Sequence, residues 1–155
     1  MLSSSANLLS DLQATIEREI PLCVQMGLMV RSFEDESLLV DAPLAPNRNH
    51  RGTAFAGSLN ALCTAAGWGH VVLLLRRQDL AGAVVIRRST IRYLRPVDAL
   101  LIVARSLPIT PAAESYFLEM FREKGQSKLD LEVEICCGGE PAVSFHGSYV
   151  VLNEG

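Results

Sequence analysis

The sequence of 155 residues has no CxxC pair, no excess of basic charge, and no repeats, linkers or low-complexity tracts. Each absence removes a class of function. Without spaced Cys and His ligands there is no signature of a zinc site, and the adjacent Cys136 and Cys137 are poor geometry for a disulfide. The four cysteines read as reduced, partly buried thiols of a cytoplasmic protein that needs neither metal nor cofactor. A net charge of -3 gives no general reason to expect nucleic acid as a partner, so any polyanion contact has to come from a local cluster of arginines. Residues 1–5 lack the basic flank of a signal peptide and lead into a helical pattern. A composition 49% hydrophobic and 20% charged suits one globular domain over residues 1–155, with a sizeable core.

The sharpest deficit is local. Residues 54–75 contain no Asp, Glu, Lys or Arg, and the run is long enough to raise a membrane span. Yet it carries Ser58, Asn60, Thr64, His70 and three glycines, and its neighbours read as amphipathic strands that need a core to cover. A helix apolar on all sides is what a sheet wrapped around it requires. The segment therefore reads as a buried helix, with no membrane partner. Its small residues, Ala61, Ala65, Ala66, Gly67 and Gly69 among them, let a sheet pack close, and Trp68 serves as a packing anchor.

Around it the chain alternates. Leu8, Leu9, Leu12, Ile16 and Ile20 stand at helical spacing over residues 5–19, and Pro21 bars a simple continuation. Residues 24–33 and 38–42 read as a hairpin turning at 34–37. Residues 84–95 are β-rich with imperfect alternation, and strict alternation splits Arg87, Arg88, Arg92 and Arg95 over two faces. Residues 99–107, apolar on both faces, read as a central strand. A short helix follows, with Thr110 as cap, Pro111 at its first position, Gly125 past its end, and Ala113, Phe117, Met120 and Phe121 on its apolar face. Residues 127–137 and 142–152 form the last hairpin, with Gly138 and Gly139 in the turn. The fold class is α+β, an antiparallel sheet curled around one long helix.

Two local motifs carry a resemblance. The stretch Ala42-Pro43-Leu44-Ala45-Pro46-Asn47, then Gly52-Thr53-Ala54-Phe55-Ala56-Gly57-Ser58-Leu59, then Ala66-Gly67-Trp68-Gly69, resembles the thioesterase family typified by the C-terminal domain of YiiD. Ile91-Arg92-Tyr93-Leu94-Arg95-Pro96-Val97 is similar to the end of the third strand in hotdog-fold thioesterases. The resemblance implies a hotdog fold and action on coenzyme A or acyl-carrier-protein thioesters, with homodimers or tetramers as the assembly. In some relatives the domain follows an acetyltransferase domain. Here the chain is expected to be used up by the thioesterase-like domain alone.

The chemistry then centres on residues 47–64. A helix start near Gly57 and Ser58 can polarise a thioester carbonyl through unpaired backbone N–H groups and the helix dipole. Many hotdog thioesterases place an Asp or Glu in the first turns of the central helix; this helix has Asn60, Cys63 and Thr64 there instead. The catalytic candidates are therefore Asn47, Asn49 and His50 on the loop, with Gly57 and Ser58. Asparagines after a proline also cap turns, and a loop imidazole also sits in solvent. Thr53, Phe55, Ala56, Asn60, Thr64 and Arg88 are the candidates for substrate contact. A non-catalytic acyl-binding or assembly module associated with an acetyltransferase is the alternative function.

Overall fold

The structure is a computed structural model that describes residues 5–154; the expectation for residues 1–4 lies outside it. The elements run α1 Ser5–Glu19, α2 Pro21–Met26, β1 Met29–Glu34, β2 Ser37–Pro43, a 3-10 turn Ala45–Asn47, α3 Ala56–Arg77, β3 Ala83–Tyr93, β4 Leu101–Ser106, α4 Pro111–Lys124, β5 Gln126–Cys137 and β6 Glu140–Leu152. The six strands form one sheet in the order β1-β2-β4-β5-β6-β3, and every neighbouring pair is antiparallel. The apolar helix α3 packs against β2 through β6. Of its most apolar window, 72% is buried inside the protein. Length and apolarity alone would have allowed a span; here they fit a helix enclosed by a sheet.

One expectation fails outright. Residues 24–33 are not one strand, because residues 21–26 form α2 and only 29–34 pair as β1. Pro21 stands at the first turn, where its missing N–H costs nothing, and Gly27 ends the helix at φ 74°, a left-handed conformation glycine adopts freely. Cys23 and Met26 turn inward at helical spacing. In α4 the Thr110 cap, Pro111 and Gly125 are where the sequence put them, with Thr110 Oγ1 accepting from Ala113 N at 3.1 Å. Its buried face is Phe117, Leu118 and Phe121, however, and Ala113 is exposed.

The second correction concerns the arginines. The β3–β6 register shifts between Ile86 and Arg88, so Arg87 is an extra residue in a bulge. Before it Val84 and Ile86 face the core; after it Ile91 does. The parity flips, and Arg88 and Arg92 stand on the outer face opposite Ser148 and Ser144. Arg87 joins them beside Val150. Arg87, Arg88 and Arg92 are therefore not divided between two faces as strict alternation implied, and Arg95 lies beyond the end of β3.

The two sheet edges differ. At β1, Gln13 of α1 accepts from Val30 N at 2.6 Å and donates to Leu28 O at 3.1 Å, covering part of the edge. At β3 the outer edge has no strand beside it in the sheet, and Val85 and Tyr93 on it are half-exposed.

Candidate active site

The loop between the 3-10 turn and α3 is shaped by two asparagines. Asn47 is buried, and its Nδ2 donates to Met26 O at 2.9 Å and to Pro43 O at 2.7 Å. Its own carbonyl accepts from Phe55 N at 2.7 Å. One residue thus ties the end of α2, the end of β2 and the start of α3 together. Asn49 works within the loop: Oδ1 accepts from Arg51 N at 2.8 Å and Thr53 N at 3.2 Å, while Nδ2 donates to Thr53 Oγ1 at 2.9 Å. This is the side-chain-to-backbone bonding that lets asparagine hold a turn. His50, next in the chain after Asn49, is exposed, and so are Arg48 and Arg51.

The loop delivers the chain to α3, whose cap residue Phe55 offers no side-chain hydrogen bond. The first-turn N–H groups of a helix have no carbonyl four residues back to bond, so Ala56, Gly57 and Ser58 present donors at the positive end of the dipole. No acidic residue occupies that turn. The Phe55 ring lies over Gly57, such that a Cβ added there would stand 2.5 Å from Phe55 Cε1. Thr53, Ser58, Asn60 and Thr64 are half-buried, and Thr64 Oγ1 donates to Asn60 Oδ1 at 3.3 Å along the expected stripe. Ala56 is exposed.

Two residues that sequence reasoning did not single out join this site. The Tyr93 hydroxyl donates to Ala56 O at 3.2 Å, setting the end of β3 against the helix start. Val97 O accepts from Ala54 N at 2.8 Å, which holds the segment after β3, with Asp98 next in the chain, beside the loop. Neither contact has a local signal, since each joins residues about 40 positions apart. Phe55, Tyr93, Leu94, Leu100 and Leu101 leave large apolar surface exposed on these same segments.

Other candidates fall elsewhere. Arg88 lies opposite Ser148 in mid-strand on the outer sheet face and is not brought to the start of α3. Glu114 accepts from Arg77 Nη2 at 3.2 Å and links α4 to the end of α3. Cys63 is fully buried, and burial pushes its thiol up to about 12, so no thiolate forms there near neutral pH.

What the arrangement can do is bind an oxygen that becomes negative at the start of α3, beside an apolar surface and a cationic loop. Comparison with known proteins identifies the family. The family model described as "Putative thioesterase (yiiD_Cterm)" matches residues 9–153. A solved structure from Shewanella oneidensis, described as a "putative thioesterase", is 34% identical over 95% of this chain and 98% of that one, with a TM-score of 0.81. A protein of unknown function from Chlorobaculum tepidum is 28% identical over 97% and 98% of the two chains, with a TM-score of 0.93. The PaaI protein of E. coli is similar in fold, with a TM-score of 0.65 at 16% identity over 98% and 97%. An antiparallel sheet around α3 and a match along nearly its whole length identify a hotdog fold, and the chain belongs to the family described as "Putative thioesterase (yiiD_Cterm)".

Proposed function

We propose that the protein hydrolyses acyl thioesters of coenzyme A or of an acyl carrier protein at the start of α3. The observation that carries this reading is the uncapped helix N-terminus, opening beside exposed apolar side chains at the mouth of a buried helix. The N–H groups near Gly57 and Ser58 stabilise the oxyanion as the carbonyl becomes tetrahedral. Phe55, Ala56, Thr53, Asn60 and Thr64 line the approach for the acyl group. Asn49 positions the loop, and with His50 it holds the attacking water; His50 takes the proton. The exposed thiol of Cys136 is compatible with a reducing, cytoplasmic setting.

The test is free-thiol release from a panel of acyl-CoAs and acyl carrier proteins. Asn49→Ala and His50→Ala are each expected to reduce turnover by about a hundredfold with folding unchanged. Loss in Asn49→Ala alone would remove His50 as the base and leave a water that is positioned but not deprotonated there.

A second reading has its own support. The side-chain amides of Asn47 and Asn49 are already engaged in shaping the loop, and no carboxylate stands in the first turn of α3. A site built this way suits an acyl-binding or assembly module associated with an acetyltransferase. Binding of acyl-CoA with no thiol released from any substrate would select it.

The unpaired β3 edge supports assembly into a homodimer or tetramer, because an open edge with Val85, Tyr93 and Leu94 exposed along it is the surface a second copy covers best. Sedimentation equilibrium is expected to give a dimer or larger for the wild type and to shift toward monomer in Leu94→Asp. A wild type that stays monomeric at micromolar concentration contradicts this.

A further inference from the structure

The outer face of the sheet carries a groove that the thioester site does not use. A cavity of about 480 Å³ lies between α4 and the strands, lined by Arg87, Tyr116, Met120, Lys124, Lys128 and Val150, with Gln126 and Ser127 at one side. Its construction follows from three local facts. The β3 bulge puts Arg87 on the outer face. Lys128 pairs with Val150 of β6, whose partner on β3 is Val85, two residues before Arg87, so both cations border the same pocket. Tyr116, Met120 and Lys124 recur every four residues on α4, so one stripe of that helix overhangs the strands.

The chemistry of the lining is uniform. Three cations converge on the groove, and among the described residues that line it there is no carboxylate, although the chain as a whole is net negative. Lys128 Nζ lies 3.7 Å from Asp130 Oδ1, which also accepts from Ser148 Oγ at 2.6 Å. Arg87 has no carboxylate partner among the ion pairs of the described residues. Tyr116 is 64% exposed, an aromatic face presented to whatever enters. Guanidinium and ammonium groups together bind phosphate oxygens, and an exposed aromatic ring stacks on a nucleobase. A volume near 500 Å³ lies within the range of small-molecule sites.

We propose that this groove binds a nucleoside diphosphate moiety, with Arg87, Lys124 and Lys128 on the phosphates and the base against Tyr116. That chemistry has two sources, a free nucleotide or the nucleotide end of coenzyme A. An acidic protein surface is a poorer fit, since a concave groove with an aromatic wall favours a compact ligand. The proposal does not depend on thiol release: a chain inactive on every thioester still holds the nucleotide here.

The test is calorimetric titration of the full chain with ADP, inorganic pyrophosphate and coenzyme A at low ionic strength. ADP is expected to bind more tightly than about 1 mM, weakening about tenfold in Arg87→Ala and in Lys128→Ala, and weakening again as salt rises to about 0.5 M. These two side chains are exposed and on different strands, and a thermal melt checks that each variant stays folded. Tyr116→Ala is expected to weaken ADP while leaving pyrophosphate unchanged. Competition of coenzyme A with ADP assigns the carrier's nucleotide end; ADP binding without that competition assigns a free nucleotide. No ADP binding by the wild type, or binding unchanged in both cation variants, overturns the site. ADP binding unchanged in Tyr116→Ala overturns the assignment to a nucleotide.

Discussion

Replacing Gly67 with alanine is expected to destabilise the protein by about 3–5 kcal/mol, the sum of overpacking a core and disrupting a buried hydroxyl. Gly67 lies in the middle of α3 where the helix meets β6, and a Cβ there would run into the Tyr149 hydroxyl, with Cζ at 2.6 Å and Cε2 at 2.7 Å. Tyr149 cannot yield cheaply. It is fully buried, its hydroxyl donates to Thr64 O at 2.8 Å, and a Cβ on Gly147 would stand only 2.9 Å from its ring. Either α3 lifts from the sheet, opening voids along its length, or the ring turns and leaves the hydroxyl without its acceptor. Gly69 is a useful contrast, because a Cβ there meets only the ends of Leu38 and Leu12, which can rotate. Chemical denaturation of Gly67→Ala, Gly69→Ala, Tyr149→Phe and the Gly67→Ala/Tyr149→Phe double variant checks this. The double variant is expected to recover more than about 1 kcal/mol relative to the sum of its parts, since removing the hydroxyl removes the first clash. A Gly67→Ala variant within about 0.5 kcal/mol of wild type, the range of an ordinary surface change, would sink the argument.

What the sequence made legible follows from how local its signals are. The first helix was readable from its periodicity and the following Pro21, and α4 because periodicity, cap, proline and glycine all lie at one element. The central helix was readable from the absence of charge together with its small residues. The helix α2 was not, since its six residues include Leu22, Cys23 and Val24, which suit a strand equally well, and only Pro21 and Gly27 point the other way. The bulge at Arg87 showed only as imperfect alternation over residues 84–95, which does not say where the register breaks. Alternation predicts faces only while the register is unbroken, and one inserted residue reassigns every side chain beyond it. At the candidate site, the helix start and the asparagine loop were visible as a run of small and polar residues. Tyr93 and Val97 were not, because they reach the site through tertiary pairing. The shaping bonds of Asn47 and Asn49 were foreseen only as the bland alternative of turn capping, which the geometry now favours as their direct effect.

Acid is expected to remove about 3 kcal/mol of stability through one buried imidazole, His70, as pH falls from 6.5 to about 4. The side chain is fully buried on α3, and desolvation pushes it down to about 4; Glu36 opposes that shift and Arg77 adds to it. Its Nδ1 lies 2.7 Å from Ser106 Oγ, which also accepts from Leu38 N at 2.8 Å. With one lone pair engaged by Leu38 N, the arrangement favours Ser106 donating its proton to Nδ1 and the neutral ring carrying its hydrogen on Nε2. Nε2 has no hydrogen-bond partner among the described residues, and the ring meets Phe33 edge-on at 5.2 Å, with the Arg77 guanidinium 5.1 Å from the Phe33 ring centre. A proton added to His70 would therefore go on Nδ1, turning the Ser106 hydroxyl proton away, and would place a cation in an apolar site, near a second cation, with Nε2–H still without a partner among the described residues. The unfolded chain takes that proton below pH 6.5 and the folded one resists it until about pH 4, so the unfolded state binds more protons across this window. Stability from this group is complete above pH 6.5 and is lost as pH falls through the folded value. Other carboxylates also titrate on the way down, so the measurement is a difference: unfolding free energy of wild type minus His70→Leu at pH 7 and at pH 4. That difference is expected to shrink by about 3 kcal/mol, with the variant the less stable protein at neutral pH because Ser106 loses its acceptor. Parallel curves for the two proteins would mean that His70 is hydrated or paired in solution, and that the site is not the dry one described.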